Sequence, residues 1–146
     1  MSVSPIPVTT QLKPEDRYGV IFVVLRYTQL DAILDILRAS AAGSIVFVGN
    51  NVRARVLAEA LPGKTVLFAF ASSAGHREAD RVASIDLKKI TIGPLSGGPS
   101  QEALIGRILS GTKYRVTYEP RMEVISSATR PLSCRWPLPA TRPTAT

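Results

Sequence analysis

Three apolar runs, separated by helical patterns, constrain this chain most. The runs "YGVIFVVLR" (residues 18–26), "SIVFVG" (44–49) and "KTVLFAFA" (64–71) are apolar at successive positions, so neither alternating face is polar. Such a strand is stable when both faces are covered, as in a central parallel strand flanked by helices. Between the first two runs, "TQLDAILDILRAS" sets Leu30, Ile33, Leu34 and Leu37 at i, i+3, i+4 and i+7, with Thr28 and Asp31 at capping-box spacing. Between the second and third, "VRARVLAEAL" reads as another helix, ended by Pro62-Gly63. The order β-α-β-α-β with short links predicts an α/β domain whose crossovers are right-handed.

Further on, the pattern weakens. "SSAGHREADRVAS" has no apolar stripe and reads as a loop; "RVASID" and "KKITIGPL" read as short strands turning at Asp86-Leu87. "SQEALIGRILSG" is a short helix capped by Ser100, with Leu104, Ile105 and Ile108 on its apolar face, and "TKYRVTYE" alternates as an edge strand. This divides the chain into a flexible lead-in (1–15), one domain (16–119) and a Pro/Arg/Ser/Thr-rich tail (120–146) without periodicity. Two readings of that tail stand side by side, a disordered basic end and the product of a frameshift in GC-rich DNA. An amphipathic helix continuing past Met122 in the adjacent reading frame would decide for the second.

Composition narrows the function classes. At 146 residues the chain is long enough for one ordinary core. No apolar run reaches the roughly 18–20 residues that span a bilayer. The N-terminus lacks the basic-then-apolar order of a secretory signal, so the cytoplasm is the expected compartment. The single cysteine, Cys134, excludes an internal disulfide and a multi-cysteine metal site. Of the net charge of +7, three units sit in residues 120–146, which hold four arginines and one glutamate. A basic tail attracts anions without reading sequence, so nucleic acid is not the expected partner.

Chemistry in a parallel sheet gathers beyond the carboxyl ends of the strands. Here those ends are Arg26-Tyr27-Thr28, Gly49-Asn50-Asn51 and Ala71-Ser72-Ser73, each polar after an apolar strand. One asparagine of the pair is expected to cap the second helix, which leaves the other amide for a ligand. Arg53 and Arg55 oppose the dipole of that helix, unless a phosphate lies nearby. Arg26 either pairs with Asp31 or Asp35 or faces a ligand. No complete catalytic set appears: His76 is the lone histidine, in a polar run, and "GPLSGG" is not a dinucleotide loop.

The segments "DRYGVIFVVLRYTQLDAILDIL", "IVFVGNNVRA", "VLFAFASSAG" and "ITIGPLSG" together resemble the middle of the ketopantoate reductase family (2-dehydropantoate 2-reductases), over about residues 16–123. The resemblance implies a Rossmann-like parallel sheet lacking its first β-α-β unit. It implies NADP as cofactor and reduction of a small 2-keto acid, 2-dehydropantoate, to (R)-pantoate on the route to coenzyme A. "VLRYTQ" matches the family's Val-Lys-Ala-x-Gln strand end, which makes Arg26 and Gln29 cofactor-binding positions. "NNV" matches the Asn-Gly elbow, giving Asn50 a contact to both nicotinamide and substrate, and "FASSAG" brings the strand near Ala74 past the nicotinamide. The family's glycine-rich loop and its helical domain, with the catalytic lysine, have no counterpart here, and Arg26 replaces a lysine that it does not mimic in geometry. The expectation is a fragment without independent activity, associating through an exposed sheet edge. The alternative is a nucleotide-binding or interaction module completed by another chain.

Overall fold

The computed structural model describes residues 7–49, 53–77, 79–95 and 100–122. Five strands form one sheet in sequence order: β1 (Val20–Val23), β2 (Ser44–Val48), β3 (Thr65–Arg77), β4 (Val82–Pro94) and β5 (Arg115–Tyr118). β1, β2 and β3 pair in parallel, as their unbroken apolar runs require; β4 returns antiparallel to β3, and β5 is parallel to β4. The helices are α1 (Leu34–Ala39), α2 (Ala54–Glu59) and α3 (Glu102–Leu109), with two 3₁₀ turns (Tyr27–Gln29 and Asp31–Ile33) before α1.

The sheet separates two cores. On one face, Ile45 and Phe47 of β2 and Phe68 of β3 pack against Leu30, Leu37, Ala54, Leu57 and Leu61. The rings of Phe47 and Phe68 stack 5.9 Å apart. On the other face, Val46, Leu67, Ala69 and Ile92 pack against Ile105 of α3. The exchange of faces follows from strand direction. Moving one way across a sheet, right-handed crossovers keep their helices on one face while the strands point one way. The β3–β4 hairpin reverses that direction, so the β4–α3–β5 crossover must place α3 on the opposite face.

Several expectations are corrected. β1 is four residues long, not nine, and has one neighbour, β2. It is therefore an edge strand of the described sheet rather than a central one, and Phe22, Val24 and Leu25 are exposed. The first helix does not start at a Thr28 cap. The chain turns two residues earlier, because Gln29 Oε1 reaches back to accept the Arg26 N–H at 3.2 Å, which makes Arg26 the cap position of a 3₁₀ turn. The apolar stripe itself holds: Leu30 and Leu37 are buried, and Ile33 and Leu34 pack beside them. At α3, Gln101 and not Ser100 occupies the cap position, although the Ser100 hydroxyl accepts the Glu102 N–H at 3.4 Å.

The largest correction concerns residues 72–89. The expected loop and short hairpin form one long arm, with β3 and β4 pairing out to Arg77↔Val82. The arm is exposed nearly throughout, so burial never imprinted an apolar alternation on its sequence. The turn expected at Asp86-Leu87 exists only as an irregularity inside β4. Asp86 Oδ1 accepts the Lys88 N–H at 2.9 Å, Lys88 takes a positive φ of 50°, and the register between Ala71↔Ile90 and Ser73↔Asp86 leaves extra residues on β4. Asp86 supplies the turn chemistry that was expected, but the strand continues through it as a bulge. The core also extends past residue 120, where no packing was expected: Met122 is buried against the first face. The rest of the tail and residues 1–6 lie outside the described residues.

Candidate functional site

β1 and β2 end almost level, and β3 runs on past them to Arg77. The registers place Val23 beside Phe47 and Phe47 beside Phe68, so Arg26 and Ala71 each lie three residues beyond one line across the sheet. Two loops meet there. Gly49 ends β2 with its N–H donated to the Ala69 carbonyl at 2.9 Å and a φ of 128°, a region that essentially only glycine enters. The chain then passes to α2, whose cap position is Arg53. Asn50 and Asn51, one of them expected to cap that helix, lie outside the described residues.

An ion pair ties the two loops together. Arg53 Nη1 meets Asp31 Oδ2 at 2.8 Å, joining the start of α2 to the 3₁₀ turns that follow β1. Asp35 is taken by Arg38. Both carboxylates expected to hold Arg26 therefore have other partners. The Arg26 side chain remains exposed at the edge, while the Arg26 backbone N–H donates to Gln29 Oε1. That bond leaves the Gln29 amide NH₂ as the donor end. Arg53 is half exposed, so its pair is worth at most about 1 kcal/mol, but it fixes the spacing of the two loops.

The Arg26 backbone and Gln29 are thus held side by side at the strand edge, and the exposed guanidinium and the amide NH₂ are donor types that suit phosphate or carboxamide oxygens. Ala74 stands apart. It pairs with Ile85 on the exposed arm, three residues beyond Ala71, or about 10 Å along the strand at ordinary β rise. The residues of β3 level with Arg26 are Ala71 and Ser72. His76 also lies on the arm, opposite Ala83.

A cleft among the described residues lies elsewhere. A volume of about 300 Å³ is lined by Arg55, Ala58, Glu59, Lys64, Val66, Pro94 and Leu95, at the start of β3 and so at the end opposite the carboxyl ends of β1 and β2. Its lysine is committed to structure: Lys64 Nζ donates to the carbonyls of Ser40 and Ala42. Among the described residues no group of three or more His, Cys, Asp or Glu side chains is placed to hold a metal ion. No described helix is long and apolar enough to cross a membrane.

A mixed sheet with helices on both faces and two loops meeting at the carboxyl ends of adjacent parallel strands defines a Rossmann-like α/β unit. Its likeness among solved structures is to ketopantoate reductases. One from Staphylococcus aureus, described as dimeric, superimposes with a TM-score of 0.54 at 18% identity, over 73% of this chain and 35% of that one. A probable 2-dehydropantoate 2-reductase from Bacillus subtilis gives 0.60 at 13% identity, over 77% and 40%. A D-mandelate dehydrogenase, solved with NADH and anilino(oxo)acetate, gives 0.52 at 13% identity, over 75% and 37%. The aligned part thus spans between a third and two fifths of each, so the likeness is to a partial domain. Neither a protein-family model nor a curated protein matches the sequence.

Proposed function

We propose that this chain is the central part of a ketopantoate-reductase-like, NADP-dependent oxidoreductase domain, working in the cytoplasm. The observation that supports it most directly is the edge where β1 and β2 end, at which the Arg26 backbone N–H donates to Gln29 Oε1 and sets the two residues side by side. When bound, the nicotinamide cofactor supplies the hydride for reducing a 2-keto acid such as 2-dehydropantoate. On this reading Arg26 neutralises a cofactor oxygen, Gln29 donates its amide NH₂, Asn50 orients nicotinamide and substrate, and the strand near Ala74 flanks the ring. None of these groups is a proton donor, so the chain alone is proposed to bind and not to turn over.

Titrating the full chain with NADPH while following nucleotide fluorescence tests this reading. Saturable binding that weakens at least severalfold in Arg26→Gln is the expected result. Absence of saturation at millimolar cofactor removes the nucleotide role. A second reading, a module completed by another chain or by a second copy, draws on the exposed apolar residues of β1 and its end: Phe22, Val24 and Leu25. Adding in trans a β-α-β unit able to pair with the free edge of β1 distinguishes the two, since on the second reading only the completed sheet should bind NADPH.

A further inference from the structure

At the same end of the sheet, two cations face each other where chemistry alone would not place them. Lys89 of β4 and Arg115 of β5 are register partners in the parallel pair. Adjacent strands lie about 4.8 Å apart, and partners project to the same face. Like charges set directly opposite are destabilising. Both residues are exposed, and neither has an ion-pair partner among the described residues.

The backbone beside them is also unusual. Lys88 adopts a φ of 50° within the β4 bulge, and a left-handed non-glycine residue stores strain that tends to collect at functional sites. Bulges re-aim side chains at such places. Lys113, two residues before Arg115, adds a fourth exposed cation. The nearby carboxylate, Asp86, is occupied: it accepts the Tyr114 hydroxyl and the Lys88 N–H, each at 2.9 Å. Because β4 runs opposite to β3, the start of its pairing with β5 lies at the end where β1 and β2 finish.

We infer that Lys89 and Arg115, with Lys88 and Lys113 beside them, form a subsite for a doubly charged phosphate or pyrophosphate group. An anion between the two strands turns their repulsion into two attractive contacts, and the Arg115 guanidinium offers a forked donor to a pair of oxygens. The site uses none of the residues assigned to the nicotinamide cofactor and stands or falls without them.

The test follows the thermal midpoint and calorimetric binding of the full chain with inorganic pyrophosphate, inorganic phosphate, and sodium chloride at matched ionic strength. Pyrophosphate should raise the midpoint more than chloride does. Lys89→Glu separates the site from general charge, because it creates an opposite-charge cross-strand pair. The expected result is a higher midpoint without ligand and loss of the pyrophosphate effect. A control that removes two cations elsewhere, Arg17→Gln with Arg107→Gln, should keep that effect within about twofold. Equal pyrophosphate responses in the wild-type protein and Lys89→Glu overturn the inference. So does a response lost equally in the control, which would mark diffuse charge attraction only. Pyrophosphate binding without NADPH binding keeps the subsite and removes the cofactor reading; the reverse removes the subsite alone.

Discussion

Two glycines show how single positions hold the described unit together. At Gly93 in β4, an added Cβ would stand 1.7 Å from the Glu119 carbonyl oxygen. The chain leaving β5 crosses the sheet at that point, and the Glu119 N–H donates to the Ile92 carbonyl at 2.9 Å before Met122 enters the core. The obstacle is backbone, so no rotamer change relieves it. Gly93→Ala should therefore lose more than the roughly 1–3 kcal/mol usual for overpacking. A Cβ added at Gly43 would meet nothing within 4 Å, and Gly43→Ala should leave stability nearly unchanged. Chemical denaturation of the two variants checks the contrast, and equal losses would refute the crossing. Gly49 owes its identity to its φ of 128°, and Gly49→Ala should cost about 1–3 kcal/mol.

Among the elements, the β3–β4 arm depends on few anchors. Past the bulge it is a two-stranded ribbon, and such a ribbon is marginal in water. Tyr114, before β5, holds its base by donating its hydroxyl to Asp86 Oδ2. That hydrogen bond, then the carboxylate's charge, then slight desolvation, raise the Tyr114 pKa above the ordinary value. The folded pKa being the higher one, this contribution is full below an ordinary tyrosine's pKa of about 10 and is lost as pH rises through the raised value. Amide exchange across Val82–Asp86 should accelerate in that alkaline window in the wild-type protein, whereas Tyr114→Phe should show fast exchange already at neutral pH. Identical protection in both proteins at neutral pH would remove Tyr114 as the anchor.

The same arm shows what the sequence could and could not reveal. Residues 44–48 and 65–70 declared themselves because burial on both faces forces an apolar residue at nearly every position. The arm's pairing is made by backbone hydrogen bonds, which any residue except proline can donate, so "SSAGHRE" carried no periodic signal. Turn chemistry at Asp86 was legible, but whether it ends a strand or bulges it depends on the partner's register, which is not local information. At the candidate site the meeting of the ends of β1 and β2 followed from strand order alone, whereas the run of β3 past Ala71 did not. The Arg53–Asp31 pair, 22 residues apart, and the Lys89–Arg115 opposition needed the fold.

For the whole molecule, the open question is what covers the outer side of β1. An edge strand presents unpaired N–H and C=O groups, and here apolar side chains follow at its end: Val24 is 70% and Leu25 42% exposed. A second apolar surface lies on the arm, where Val82, Ile85 and Leu87 are 64–70% exposed. Apolar side chains stand at these positions in place of the charges that usually guard a free edge, so concentration-dependent association is expected. The two surfaces are far apart along the chain and make separate predictions. Val24→Lys with Leu25→Lys should shift sedimentation towards monomer if copies join edge to edge, with little loss of stability because both side chains are already largely exposed. Val82→Lys with Ile85→Lys should do so if the arm is the contact. A wild-type chain that stays monomeric throughout the micromolar range, with a sharp cooperative thermal transition, would mean that the exposed edge is tolerated, and the case for a completing partner would then fall with it.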